Sequence, residues 1–302
     1  MRGRVLFDRH GDLRAVWRIA SCVSLVLLCV TGGLVLLRGL GAATPLTEKA
    51  VLLGAALAST WIMMRLVNRK PVRAVGLWMG AGALRDIGAG CLLGFLMMAG
   101  ICAVLVATGE ATLTRTTGGA LQAAGVAVLA AFTFAAGALA EEILFRGYAF
   151  QTLMQAVTFL PATAICSALF ALAHLANPHA TAFGLANVVL AGVLFSFAYM
   201  KTRSLWLPAG IHFAWNFTQT TLCGFPTSGV RDDAHALFRA DCTGRGWIGG
   251  GEFGPEGGVL ATIALLVCTW YVLKAPYLKS AEGIVTLDSI EDLVPPRKEN
   301  AP

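Results

Sequence analysis

Ala140-Glu141-Glu142-Ile143-Leu144-Phe145-Arg146-Gly147 closes the uncharged run 120–140. Two carboxylates and a guanidinium therefore stand at the end of a segment apolar enough for hydrocarbon. Each ionised side chain at that depth costs about 2.5–3.5 kcal/mol on insertion scales, so such residues mark a functional site by default. On a helix Glu142 and Arg146 are four residues apart and share a face. Glu141 lies about 100° further round and is free to face elsewhere. The pattern predicts a division of labour: Glu142 pairs with Arg146 and holds the helix, and Glu141 points into a cavity and does the chemistry.

The rest of the chain fits a membrane setting. Its 302 residues are 57% hydrophobic and 13% charged, and the mean hydropathy is +0.70. Soluble domains carry about 25% charged residues. The expected fold class is all-α: a polytopic transmembrane helix bundle of about eight spans, at 19–37, 50–67, 87–108, 120–140, 161–174, 183–200, 205–222 and 258–273. The units are a basic N-terminus (1–18), N-terminal helices (19–119), a core (120–222), an outer loop (223–256), a last helix (257–273) and a polar tail (274–302). The first apolar run is too long and too weakly terminated for a cleaved signal peptide, so it reads as an uncleaved anchor. Residues 74–82 are apolar but too short to span, which suggests an interfacial segment. Gly90 and Gly94 form a GxxxG, a signal for close helix approach. Pro161 suits a first helical turn, and Asn177-Pro178 is a helix breaker. The tail carries Pro295-Pro296 and reads as poorly ordered.

Charge sets the orientation. With an inside N-terminus, the inside segments hold Arg2, Arg4, Arg9, Arg14, Arg18, Arg65, Arg69, Lys70, Arg73, Arg85, Lys201, Arg203, Lys274, Lys279, Arg297 and Lys298. The outside segments hold only Arg38, Lys49, Arg115, Arg231, Arg239 and Arg245. The positive-inside rule thus places both termini in the cytoplasm. The net charge of +6 reflects topology, not nucleic-acid binding, since no basic tract is interleaved with aromatics. An integral, multi-pass protein of a bacterial inner (plasma) membrane is expected, with membrane lipids as partners. Cys22, Cys29, Cys91, Cys102, Cys166 and Cys268 lie in apolar runs and read as packing residues. Cys223 and Cys242 lie in the outer loop; a disulfide across it and two free thiols are both open.

Three spans carry groups that hydrocarbon excludes. The fourth has Glu141, Glu142 and Arg146; the fifth ends at His174, with Phe170 four residues back; the seventh has His212 and Asn216 one turn apart. Singly, each has a structural reading as inter-helix glue. Together, in so uncharged a chain, they suggest a shared polar cavity. Gly-x-Ser-x-Gly, HExxH and Gly-x-Gly-Asp are all missing, which removes the usual serine, zinc-helix and intramembrane aspartyl patterns. Activation of water remains. A carboxylate can act as general base on a water that a neutral His also holds, while a second His and an Asn donate to an oxyanion. Glu141, His174 and His212 could instead hold a divalent metal such as zinc. The residues alone do not choose between the two.

Glu141-Glu142-x-x-x-Arg146, Phe170-x-x-x-His174 and His212-x-x-x-Asn216 resemble, in order, the three motifs of the CPBP family, which holds the type II CAAX prenyl endopeptidases and the bacterial Abi proteins. Arg73-Ala-Val-Gly-Leu also resembles a stretch found upstream in that family. The resemblance covers 120–222. It implies that Glu141 and His174 activate water, that His212 and Asn216 stabilise the oxyanion, and that Glu142 and Arg146 support the helix. It implies an intramembrane endopeptidase acting on a membrane-associated protein or peptide, with the role of metal contested and no substrate transferred. Two other classes remain: a proton- or metal-coupled transporter, disfavoured by the lack of an internal repeat, and a non-catalytic immunity-type or scaffold protein. Glu141 near the end of its span favours cytoplasmic access.

Overall fold

The glycines of the GxxxG pair decide how closely the helices pack. In the computed structural model, which describes residues 6, 7 and 13–279, Gly90 and Gly94 lie on a long helix that meets the helix bearing His212 at backbone contact. A Cβ on Gly90 would collide with Leu207 O, and one on Gly94 with Ile211 O. Gly210 returns the contact, its Cβ position falling 2.8 Å from Ile87 O. Helices in lipid gain by van der Waals fit rather than by expelling water, so small residues at the seam fix the approach.

The helices, in order, are α1 (Ala15–Gly39), α2 (Pro45–Ile62), α3 (Ala81–Ala107), α4 (Ala120–Glu142), α5 (Ala149–Val157), α6 (Phe159–Ala173), α7 (Ala182–Thr202), α8 (Trp206–Phe217) and α9 (Val259–Lys274). Each of the eight expected spans becomes one of these helices, which makes a helical bundle. Five of the described helical segments are long and apolar enough to cross a membrane; α6 and α9 are apolar but shorter. The segment through α4 is longer than the run 120–140 suggests. It continues through a π-type turn (Ile143–Tyr148) into α5, with a non-helical kink at Gly147. Glu141 therefore lies mid-way along a 38-residue segment, not at its end.

Connections alternate between the two ends of the bundle. At one end Tyr148 donates to Asn68 Oδ1 at 2.8 Å, Leu205 N–H to Gly76 O at 3.1 Å, and Arg85 to Lys279 O at 2.7 Å. Of the segment 74–82, Ala74 and Val75 are buried against Met63, Met64 and Tyr148, whereas Met79 is exposed. At the opposite end sits a feature outside the all-helical expectation, an antiparallel ribbon of β1 (Ala111–Arg115) and β2 (Phe238–Cys242), with Ala111 opposite Cys242. The outer loop folds around it. Cys223 and Cys242 are both free, as are the other cysteines of the described residues. Cys223 faces Cys102 while Cys242 is held in the ribbon, so a bridge between them is not formed. Arg2, Arg4, Arg9 and the tail beyond Lys279 lie outside the described residues.

Candidate active site

Glu142 and Arg146 are fully buried at the step where α4 widens into the π-type turn. Such turns recur at functional positions because they re-aim side chains without breaking the helix. Arg146 Nη1 donates to Glu142 Oε1 at 3.1 Å, and Nη2 donates to Gly192 O of α7 at 3.2 Å. The guanidinium lies 4.6 Å from the ring centre of Phe170 and 5.1 Å from that of Phe195. A cation in hydrocarbon is thus matched by one carboxylate, one carbonyl and aromatic faces. Phe170 belongs to this sandwich rather than to the open cavity wall alone.

The same oxygen of Glu142 also receives His212 Nδ1–H at 2.9 Å. The sequence pointed to Glu142 as a partner of Arg146; its hold on His212 was not visible there. His212 is further clamped by stacking on Phe195, with ring centres 5.0 Å apart at 15°. With Nδ1 committed, Nε2 is the working atom, and it points at Glu141 Oε2, 3.7 Å away. His174, the first residue past α6, is set the same way: its Nδ1–H donates to Phe170 O at 2.8 Å, since a carbonyl only accepts. Fixing one ring nitrogen leaves the other to do chemistry.

Glu141, His174, His212 and Asn216 all line one cavity of about 870 Å³. The structure therefore brings the sequence-derived set together. Glu141 is the open member of the carboxylate pair, its side chain 21% exposed. Neither of its oxygens has a hydrogen bond to a described group. Lys49 Nζ stands 3.7 Å from Oε1, on the side opposite His212. The cavity wall also draws on Ala43–Pro45 and Glu48 at the start of α2, on Asn177, and on Thr227–Asp232 and Glu256 of the outer loop. No connection from the opposite end of the bundle contributes. Access from the end expected to be cytoplasmic is thus not what the geometry favours; the cavity belongs to the outer-loop end.

Sequence reading missed Glu256. Its Oε2 accepts from Ser228 N–H at 2.5 Å and Ser228 Oγ–H at 2.7 Å, and its Oε1 from Trp215 Nε1–H at 3.2 Å. Burial pushes this carboxyl above the usual glutamate range, against those bonds and the nearby His174. Asn177 donates to Ser228 O at 3.0 Å, and Asn187 to Glu256 O at 2.7 Å. The loop is thereby stitched to the helix ends that carry His174 and Asn216. A glutamate more than thirty residues past the last motif, in a polar Gly-rich loop, gives no local sign of this.

As to a metal, no group of three His, Cys, Asp or Glu with ligating geometry occurs among the described residues. Glu141 and His212 approach to 3.7 Å and His174 lines the same cavity, but a catalytic zinc takes three protein ligands at about 2.0–2.2 Å, a geometry these side chains do not adopt here.

The segment 123–218, from α4 to the end of α8, matches the family described as type II CAAX prenyl endopeptidase Rce1-like. It contains every residue of the three motifs. No curated protein and no solved structure matches the chain.

Proposed function

We propose that the chain, whose residues 123–218 match the Rce1-like type II CAAX prenyl endopeptidase family and five of whose described helical segments are apolar and long enough to cross a membrane, is an intramembrane endopeptidase that activates water with Glu141. The observation that carries this is the inequality of the two adjacent glutamates. Glu142 is sealed against Arg146 and His212, whereas Glu141 opens onto the cavity with both oxygens unbonded. Structural glue needs the first arrangement and not the second.

The steps follow from the atoms available. A water held between Glu141 and His174 Nε2 loses a proton to Glu141, and its oxygen attacks the scissile carbonyl. The oxyanion that forms takes hydrogen bonds from His212 Nε2–H and Asn216 Nδ2–H. With Nδ1–H given to Glu142, Nε2 is the ring atom left to face the oxyanion. Glu141 then passes its proton to the leaving nitrogen as the C–N bond breaks. These steps run on Glu141, His174, His212 and Asn216 alone.

The finer topology we propose is eight crossings with both termini cytoplasmic, in a bacterial plasma membrane. The end of the bundle remote from the cavity carries Arg65, Arg69, Lys70, Arg73, Lys201 and Arg203, as the positive-inside rule requires. The cavity is then reached from the outer leaflet or the space beyond it. Purified wild type and Glu141→Gln, given a library of membrane-spanning peptides in liposomes and read by mass spectrometry, test the activity. Cleavage by the wild type alone supports it; no cleavage by either removes it.

A further inference from the structure

Lys49 lies outside the matched segment, on α2, and belongs by sequence to a short outer connection. Three features set it apart from a solvated surface lysine. The α2 helix is started firmly just before it, by a Thr44–Thr47 capping box with Pro45 in the first turn, so its backbone position is fixed. Its side chain then runs along α4 through a notch left by Gly137: a Cβ there would lie 3.2 Å from Lys49 Cδ, 3.4 Å from Cε and 3.6 Å from Nζ. Gly137 is one turn before Glu141 and on the same face, so the notch leads the ammonium to the carboxylate, 3.7 Å from Oε1.

We propose that Lys49 is the built-in counter-ion of Glu141 and a positioning residue for its chemistry, an inference that rests on the hydrolytic reading above. Lys49 and His212 flank the two oxygens of Glu141, each at 3.7 Å. That distance is too long to use up an acceptor and short enough to orient the carboxylate. When Glu141 takes the proton of water, its negative charge disappears and an equal charge arises on the substrate oxyanion. One O–H bond of water and the π bond of the scissile carbonyl break, one C–O bond and one O–H bond on Glu141 form, the π pair becomes the oxyanion, and the net charge of the site is unchanged. The ammonium stands beside the carboxylate while it is charged and holds it in the orientation from which it takes the proton. Lys49 is 43% exposed and its nitrogen stands 3.7 Å from the carboxylate, so the pair contributes little to folding. Its worth lies in the reaction.

The test uses the full-length protein in liposomes, with two readouts. In the first, Lys49→Met lowers kcat on a cleaved membrane peptide about tenfold to a hundredfold with KM nearly unchanged, and Lys49→Arg restores part of it. Wild-type kcat in Lys49→Met, or no recovery at all in Lys49→Arg, overturns the proposal. The second readout needs no activity: the rate at which acetic anhydride labels Lys49, followed by mass spectrometry. Labelling rises severalfold in Glu141→Gln and in Gly137→Val, while Lys201, bonded to Leu273 O at 2.9 Å, serves as the unchanged reference. Equal labelling of Lys49 in wild type and Glu141→Gln refutes the pairing. A wild type that cleaves nothing removes the protease reading, and the labelling result still decides whether the pair exists.

Discussion

Replacing Arg146 by Met keeps a long flexible stem and removes only the guanidinium. Glu142 then stays at 0% exposure with His212 Nδ1–H as its remaining partner, since its Oε2 has none. Removing one partner of a buried ion pair costs about 3–5 kcal/mol, because the other charge is left stranded. The lost faces of Phe170 and Phe195 add about 0.5–2 kcal/mol. Arg146→Met is therefore expected to lose at least 3 kcal/mol, roughly a hundredfold in the folding equilibrium. Adding Glu142→Gln removes the stranded charge, so the double variant recovers part of the loss, with a coupling of about 1–3 kcal/mol. Equilibrium unfolding in mixed micelles, followed by tryptophan emission, measures each state. An Arg146→Met protein as stable as wild type, or singles that simply add, would refute the buried-pair reasoning.

Other outcomes follow from the same geometry. Glu141→Gln should fold within about 0.5 kcal/mol of wild type, as expected for a change that breaks no buried network; the same unfolding assay checks this. Gly94→Leu drives α3 away from α8 at Ile211 and so misplaces His212 and Asn216; activity should fall far more than the amount of folded protein recovered on size exclusion. The raised carboxyl of Glu256 means the native state binds its proton more tightly than the unfolded chain. Its contribution to stability is full below the ordinary glutamate value of 4.5 and is lost as pH rises through the raised native value. Melting temperature should therefore decline with pH over that window in wild type, and decline less in Glu256→Gln. Cys223 and Cys242 should both be alkylated without prior reduction, as mass spectrometry of the denatured protein would show.

Much of this site was legible in the sequence, for a physical reason. Groups that hydrocarbon rejects stand out against an apolar background, so Glu141, Glu142, Arg146, His174, His212 and Asn216 could be selected before any fold was known. Helical spacing separated the sealed glutamate from the open one, and Gly90 with Gly94 announced the seam that sets α8. What could not be read were contacts made across the chain. Lys49 and Glu256 look like ordinary polar residues of outer connections, and only the fold brings them to Glu141 and His174. The end of the charged helix was misjudged because a charged turn resembles a terminus, whereas Glu142 and Arg146 neutralise each other and the helix runs on. That error carried over into the expected side of access. The apolar segment near Ala74 was short for a span, and its burial against Met63 and Met64 depends on a partner surface that local sequence does not show.

Whether Glu141 activates water without a metal is decided by cleavage of membrane-spanning peptides by purified wild type and Glu141→Gln, each with and without a strong chelator. The wild type should cleave in both conditions and the variant in neither. Cleavage by Glu141→Gln at the wild-type rate, or a wild type silenced by the chelator and restored by a divalent ion, would contradict metal-free catalysis by Glu141.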